Sequence, residues 1–193
     1  MMRTLVWCDM EMTGTDRDHD HIMEVAVARA PIESPTQAEF VLHEVVWLSD
    51  EALAGMQHVP RGMHTRNGLI DECRSSGALH LYEVEQRLLE LFPAAPEEPD
   101  RYVLAGSSIH FDRGFIERWM PEFDRRLWRR HLDVSSVEIW CMSEGMEPLP
   151  RPDLHRATED VAASIRRLEL CREWMVDAFR LPGSIVRGAP RTE

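Results

Sequence analysis

The first strand predicted in this chain ends in two carboxylates that must point the same way. An apolar run at residues 4–7 predicts a buried strand, and Asp9 and Glu11 follow it before a turn at Gly14. Side chains two residues apart on a strand project from the same face. Carboxylates on one face repel each other unless a cation or a proton lies between them. The pattern therefore indicates either a metal site at the end of a core strand or ordinary surface acids before a turn.

The order of the predicted elements indicates the fold class. Strands are predicted at 4–10, 21–30 and 40–48, with short links that suit an antiparallel meander. Further strands are predicted at 101–106 and 131–134, and helices at 49–56, 79–92, 112–119, 121–128 and 154–179, with one more capped by Ser135. Residues 59–68 and 148–153 are rich in turn formers and are predicted to be loops. Three strands followed by alternating helices and strands predict an α/β fold with a mixed sheet.

Length and composition point to one domain. The 193 residues allow a sizeable core, which we place at residues 1–179, and we expect a loose C-terminal tail at 180–193. No run of about 18 apolar residues is present, which argues against a membrane span. The first residues lack the apolar segment of a signal peptide, so a cytoplasmic location is expected. The four cysteines are far apart and form no C-x-x-C pair, which argues against a zinc site or a disulfide framework.

The charged residues narrow the classes of function. All 22 basic residues are arginine, which excludes P-loop chemistry, Schiff bases and lysine general bases. The net charge of −12 disfavours binding to long duplex DNA, which depends on basic patches. A nucleic-acid ligand would therefore be short, or held locally by metals and a few arginines.

Two later acids and one histidine are candidates to complete a site with Asp9 and Glu11. Asp112 follows the predicted strand at 101–106, and Asp160 lies near the start of the last helix. A separation of five residues on a continuous helix turns two side chains about 140° apart. His155 is therefore placed in the loop before the helix, leaning over a site that Asp160 faces. Taken singly, a residue like His155 is more often a surface histidine, and one like Asp160 is more often a solvated helix charge than a ligand.

The complete set of motifs resembles a known family of nucleases. D-x-E-x-T-G on the first strand, an Asp after a central strand and H-x-x-x-x-D near the end resemble the DEDD 3′→5′ exonuclease superfamily, histidine subtype. Four further motifs resemble oligoribonuclease in order and spacing: His64-Thr65-x-x-Gly68-Leu69, Gly106-x-Ser108-Ile109-x-x-Asp112, Met120-Pro121-Glu122 and Leu132-Asp133-Val134-Ser135-Ser136. The resemblance extends from about Leu5 to Trp174.

The resemblance implies a fold, a reaction and a set of partners. The fold would be ribonuclease H-like, a five-stranded mixed sheet flanked by helices. Two divalent ions, Mg²⁺ or Mn²⁺, would be held by Asp9, Glu11, Asp112 and Asp160, with His155 as the general base. The substrate would be short single-stranded RNA or dinucleotides, cut to nucleoside 5′-monophosphates. The family is commonly homodimeric, so a homodimer is expected.

The same resemblance implies the substrate contacts. Independently of the resemblance, the sharp turn at Thr13-Gly14 would bring backbone close to a ligand, and Thr15, directly after it, is a further candidate contact. His64 and Ser108 match positions that hold the sugar, base or terminal phosphate. Arg130 and Ser135 match positions that cap the 5′ phosphate, and a guanidinium suits that role because it binds phosphate bidentately. Two alternatives stay open: Ser135 is also a good helix N-cap, and His64 can simply order its loop.

Four positions depart from the family pattern. Thr15 replaces a leucine that wedges against the bases, Arg129 replaces a tyrosine that reaches the partner subunit's site, and His110-Phe111 replaces a small polar pair. We hypothesise that hydrolysis is retained while the preference for dinucleotides is weakened or redirected. The alternatives are an enzyme of the same fold that acts on a specialised small nucleotide or phosphodiester, and a binding module without turnover, against which the intact acids argue.

Overall fold

The structure, a computed structural model, describes residues 3–98, 100–150 and 155–180. Its strands are β1 (Thr4–Met12), β2 (Ile22–Pro31), β3 (Glu39–Val45), β4 (Tyr102–Gly106) and β5 (Leu127–Asp133). Its helices are α1 (Asp50–Ala54), α2 (His58–Arg66), α3 (Leu69–Cys73), α4 (Leu81–Leu91), α5 (His110–Trp119), α6 (Pro121–Asp124), α7 (Val134–Ser143) and α8 (Ala157–Arg180). The strands form one sheet in the order β3-β2-β1-β4-β5, which places β1 at the centre.

The sheet is mixed, as predicted. β2 runs antiparallel to both of its neighbours, β1 and β3, so the first three strands form the predicted meander. β4 runs parallel to β1 and to β5. Parallel neighbours need a crossover connection, and helices provide it here. The predicted α/β class with a five-stranded mixed sheet is confirmed.

The central strand contributes to a core on each of its faces. Four apolar side chains of β1 pack into the larger core: Val6, Cys8, Met10 and Met12. Leu5 and Trp7 point to the opposite face, where they pack in one cluster with Val161 of α8. Asp9 and Glu11 continue this second set of alternating positions beyond the apolar part of the strand. The alternation therefore directs both acids toward the face of the sheet that α8 covers.

The segment predicted as a loop, residues 59–68, is mostly helical, so that prediction is wrong. It forms α2, and α3, for which we made no prediction, follows directly. Pro60 lies in the first turn of α2, where a backbone N–H has no acceptor within the helix and proline is tolerated. Gly68 has a φ of 82°, in the left-handed region that glycine adopts readily, and it separates α2 from α3. The turn-forming residues thus mark helix ends rather than an extended loop.

The predicted helix at 121–128 is also too long. α6 ends at Asp124, and β5 begins at Leu127, earlier than the strand predicted at 131–134. The extra strand residues pair with β4, from Tyr102 opposite Leu127 to Gly106 opposite Asp133. Pairing with a strand more than twenty residues earlier is a tertiary interaction that the local pattern does not contain.

Asp133 rather than Ser135 caps α7, so the predicted cap is wrong. The Asp133 side chain accepts the backbone N–H of Ser135 at 2.9 Å, which is the usual N-cap interaction. Ser135 lies in the first turn of the helix, and its hydroxyl faces Ser108 at the end of β4.

Two predictions concern segments that the structure describes only in part. α8 runs to Arg180, whereas a loose tail was predicted at residues 180–193. Residues 181–193 of that tail lie outside the described residues. Residues 148–150 are irregular, as predicted, whereas 151–153 fall outside the described part. Within the described residues, no helix combines the length and apolar character that crossing a membrane requires.

Candidate active site

Three carboxylates converge where β1 meets the start of α8. Asp9 and Glu11 come from β1, and Asp160 comes from the first turn of α8. One oxygen from each carboxylate lies within 4.8 Å of the others. The three side chains line a cleft of about 340 Å³, together with residues of α2 and α5. The structure thus brings together three of the four predicted metal ligands.

The fourth predicted ligand, Asp112, lines the same cleft from α5. Its Oδ1 accepts the backbone N–H of Met10, between the two acids of β1, at 3.1 Å. This contact is available because β1 pairs with β4 only as far as Trp7 and continues beyond it. Asp112 is 6% exposed. The hydrogen bond therefore fixes the carboxyl group of α5 against the strand that carries the other two acids.

Burial raises the pKa values of all four acids, and the charges of nearby acids raise them further. Burial, followed by the charges of Asp160, Glu24 and Asp112, raises the pKa of Glu11 to about 8. Burial raises the pKa of Asp112 to about 7 and that of Asp9 well above its usual value. The pKa of Asp160 is raised as well, again mainly by burial.

This donor set fits divalent cations. Carboxylate oxygens are the ligands that hard cations such as Mg²⁺ and Mn²⁺ prefer. Buried carboxylates that repel one another are stabilised when positive charge is placed among them. The cluster therefore has both the chemistry and the electrostatic demand of a metal centre.

His155 lies at the cleft, in the loop directly before α8, where the sequence placed it. Its φ of 48° is in the left-handed region, which is uncommon for a residue other than glycine. The Asn67 side chain, at the end of α2, donates to the backbone carbonyl of His155 at 2.6 Å. The backbone of the predicted general base is thus held by a contact from a different helix.

A buried ion-pair network fixes the residue after His155. Both oxygens of Glu24 accept from the Arg156 guanidinium, at 2.8–3.2 Å, and Glu24 Oε2 also accepts the N–H of Ala157 at 2.9 Å. Glu72 binds the same guanidinium through two hydrogen bonds, at 2.8 and 3.0 Å. Burial alone would raise the pKa of Glu24, but hydrogen bonds from Arg156, Ala157 and His43 lower it.

This network was not predicted from the sequence. Glu24 is fully buried at a position of β2 directly opposite Glu11. The available indication was a lone acid inside the apolar strand at 22–28, and such an acid requires a partner. Nothing in the local sequence identifies that partner as Arg156, which lies 132 residues away.

His64, on α2, is buried beside Glu11. It is 1% exposed, and its Nε2 lies 3.4 Å from Glu11 Oε2. Burial, followed by the nearby charge of His155, lowers the pKa of His64. His64 is therefore positioned to contact Glu11, and its predicted role in holding sugar or base stays a prediction.

The three predicted contact residues in the turn after β1 have different environments. Thr13 is buried, and its hydroxyl donates to Asp20 at 3.0 Å and accepts the N–H of His21 at 2.8 Å, so it closes the turn. Gly14 lines the cleft, and a Cβ there would collide with the side chains of Asp20 and Gln57. Thr15 is exposed and lines a neighbouring cavity instead of the cleft.

The three other predicted substrate contacts differ in whether they reach the site. Ser108, with a φ of 52°, lines the cleft, and its hydroxyl lies 3.2 Å from that of Ser135. Both serines line a second small cavity next to Asp160. Arg130 is exposed on β5, with its guanidinium 5.3 Å from the centre of the Trp128 ring, and it lines neither of these two spaces. The structure of a single chain therefore brings Ser135 but not Arg130 to the site.

Comparisons with solved structures bear on the fold. Escherichia coli exonuclease I, in a zinc-bound complex with single-stranded DNA, matches 93% of this chain with a TM-score of 0.66 and 16% identity. Exonuclease I from Methylocaldum szegediense matches 92% with a TM-score of 0.62 and 19% identity. This chain spans only 43% of each of those two chains. The likeness confirms the predicted ribonuclease H-like fold.

Comparisons with curated proteins bear on the family. No protein-family model matches the chain. The oligoribonuclease of Burkholderia lata is 38% identical over 181 residues, which cover 88% of this chain and 82% of that protein. The oligoribonuclease of Paraburkholderia xenovorans is 35% identical over the same shares of the two chains. The chain belongs to the oligoribonuclease family.

Proposed function

We propose that this protein is a metal-dependent 3′→5′ exoribonuclease that hydrolyses short oligoribonucleotides to nucleoside 5′-monophosphates. A 3′→5′ exonuclease activity on short oligonucleotides follows from membership of the oligoribonuclease family. The choice of RNA, the metals and the residue roles are what the proposal adds. The observation that carries it is the convergence of Asp9, Glu11 and Asp160 in a cleft that Asp112 and His155 also line.

The four acids would hold two divalent cations, Mg²⁺ or Mn²⁺. When bound, such ions supply Lewis-acid stabilisation of the charge that develops on the phosphate oxygens during displacement. The negative charges of the four ionised carboxylates and the positive charges of the two divalent ions would cancel. An anionic phosphodiester can therefore approach the cleft although the protein carries a net charge of −12.

His155 would act as the general base. A neutral imidazole near pH 7 can take a proton from the attacking water. Its backbone is held by Asn67, and its neighbour Arg156 is held by Glu24, so the backbone that carries the proposed base is fixed on both counts. His64, which contacts Glu11, would help to orient that carboxylate.

The proposal includes a homodimer in the cytoplasm, with short single-stranded RNA or dinucleotides as substrate. Arg129 and Arg130 are exposed on β5, the strand at the edge of the sheet. An exposed edge next to the site is a suitable place for a second subunit to contribute contacts. A partner in that position would also give Arg130 a role at the site, which it does not reach within its own chain.

The test is a nucleotide-release assay with purified protein and RNAs of two to ten nucleotides, analysed by mass spectrometry. We expect nucleoside 5′-monophosphates, released from the 3′ end in the presence of Mg²⁺ or Mn²⁺, and no release in EDTA. Products that carry a 3′ phosphate, or undiminished release in EDTA, would contradict the proposal.

A second candidate function is hydrolysis of a specialised small nucleotide or phosphodiester by the same site. Two residues that depart from the family pattern favour this candidate. Phe111 lies in the cleft, and Thr15 lies in the cavity beside it. Turnover of one defined small phosphodiester much faster than any RNA in the series would support it over the first.

A further inference from the structure

Phe111 exposes an aromatic ring at the edge of the cleft that holds the acids. It lies in the first turn of α5, next to Asp112, and is 37% exposed, whereas Asp112 is 6% exposed. The ring packs against Phe115, which is 1% exposed, with 5.5 Å between the ring centroids. One side of the ring is thus supported by the core, and the remainder is accessible from the cleft.

The ring lies where two cavities meet. Phe111 lines the cleft of about 340 Å³ that contains the acids, and it also lines a cavity of about 500 Å³ beside it. Thr15 and Arg17 line the second cavity from the β1–β2 turn, and Gly114 lines it from α5. The Arg17 stem lies close to Gly114, where a Cβ would be only 3.2 Å from Arg17 Cδ. The turn and the helix are therefore in close contact at the second cavity, which both of them line.

The two acidic side chains that line this cavity, Asp16 and Asp18, are engaged in ion pairs. Asp16 lies 2.9 Å from His19, and Asp18 lies 3.5 Å from Arg118. The Arg17 guanidinium lies 3.4 Å from Glu117. The feature that this cavity offers to a ligand is therefore the flat apolar ring rather than a cluster of cations. Such a surface suits the face of a nucleobase better than a phosphate.

We propose that Phe111 is a stacking platform for one nucleobase of the substrate, in a subsite that it forms with Thr15 and Arg17. The inference rests on the proposed function, because a phosphodiester bound at the acids brings an adjoining base within reach of the residue next to Asp112. Stacking on an aromatic ring accepts every base, since each base has a π face. The subsite therefore contributes affinity for the chain without selecting its sequence.

The test combines substitutions at Phe111 with removal of single bases from the substrate. Phe111→Ala and Phe111→Leu should lower kcat/KM for a pentanucleotide roughly 5- to 100-fold, whereas Phe111→Trp should retain it. An abasic site at one position of the RNA should lower the wild-type rate by a similar factor. On that abasic RNA, Phe111→Ala should cause no further loss. Phe40→Ala, at a similarly exposed phenylalanine on β3, is the matched control and should behave as wild type.

A binding measurement separates failure of this inference from failure of the proposed function. 2-Aminopurine at the position found by the abasic series, or at each position in turn, should be quenched on binding to wild-type protein in Ca²⁺ and much less on binding to Phe111→Ala. This readout requires no hydrolysis, so it decides the inference even if no RNA is cut. Full activity of Phe111→Leu, or a loss in Phe111→Ala that no abasic site removes, would overturn the stacking role.

Discussion

His155 is the residue whose proposed role is tested most directly by substitution. It lines the cleft that contains the acids, and its backbone is held by Asn67. If it takes the proton from water, His155→Ala should lower kcat by roughly 10²- to 10⁴-fold and leave KM almost unchanged. Steady-state kinetics on one short RNA measure both constants.

The matched control for this substitution is His58→Ala, which removes an exposed imidazole at the start of α2 that does not line the cleft. It should retain the wild-type rate. Exogenous imidazole should restore part of the activity of His155→Ala, because it can replace the missing base. A His155→Ala variant with full kcat would show that the general base is another group.

Glu11 makes the stability of the metal-free protein depend on pH. Its pKa is raised from 4.5 to about 8, by burial first and by neighbouring acids second. A carboxyl group of this kind opposes folding as it ionises, so stability is lost as the pH rises from about 4.5 toward 8. In EDTA, Glu11→Gln should therefore raise the melting temperature, and by more at pH 8 than at pH 5.

Calorimetry of both proteins at the two pH values measures this effect. Added Mn²⁺ should stabilise the wild type more than the variant, since the variant has lost one carboxylate near the proposed ions. Glu51→Gln, at an exposed position of α1, is the control and should change neither result. An equal difference between wild type and Glu11→Gln at pH 5 and pH 8 would contradict the electrostatic interpretation.

At the scale of elements, the Glu24–Arg156 pair joins β2 to the start of α8. Removing one partner of a buried pair leaves the other charge uncompensated, so Arg156→Ala should lower the free energy of unfolding by about 3–5 kcal/mol. Glu72, with its side chain 43% exposed, binds the same guanidinium, and Glu72→Gln should lower it by under about 1 kcal/mol. Urea denaturation measures both changes.

The pair should also affect catalysis, because it lies next to His155 in sequence. Arg156→Lys keeps the positive charge but loses the planar fork that binds Glu24 and Glu72 together. We expect it to remain folded and to lose kcat by about tenfold or more, since small displacements of reacting groups are costly in rate. Wild-type kcat in a folded Arg156→Lys protein would limit the pair to a structural role.

The sequence predicted those elements whose local pattern agrees with their environment. The three-stranded meander and α8 follow from apolar periodicity and were predicted in nearly the right places. α2 was missed because Pro60 and Gly68 are typical both of loops and of helix ends, and only packing distinguishes the two. The early residues of β5 were missed because their strand form depends on pairing with β4.

The sequence likewise predicted only part of the candidate site. The alternation along β1 was enough to place Asp9 and Glu11 on one face, and the structure adds Asp160 within 4.8 Å of both. Long-range partners could not be predicted: Asn67 for His155 and Glu24 for Arg156 lie 88 and 132 residues away in the chain. Arg130 was assigned from motif order alone, and the fold of one chain leaves it outside the cleft.

At the scale of the whole molecule, charge and shape together restrict the substrate. A net charge of −12 repels a long polyanion, while ions at the acid cluster would favour a phosphodiester at one place only. The cleft is continued past Phe111 by the cavity that contains Thr15. On the proposed function, we therefore expect a short single strand that extends beyond the acids to bind at least as well as a dinucleotide.

The final prediction concerns this range of lengths. Because Thr15 is small and exposed, the β1–β2 turn presents no bulky apolar side chain that could wedge between two bases. The kcat/KM values for RNAs of two, five and ten nucleotides should then lie within roughly tenfold of one another, since one apolar contact separates substrates by about 10- to 200-fold. Thr15→Leu should shift the preference toward the dinucleotide by a factor of that order. Thr65→Leu, at an exposed position of α2 that does not line the cleft, should not. A sharp dinucleotide optimum in the wild type would show that residues other than Thr15 limit the length of the substrate.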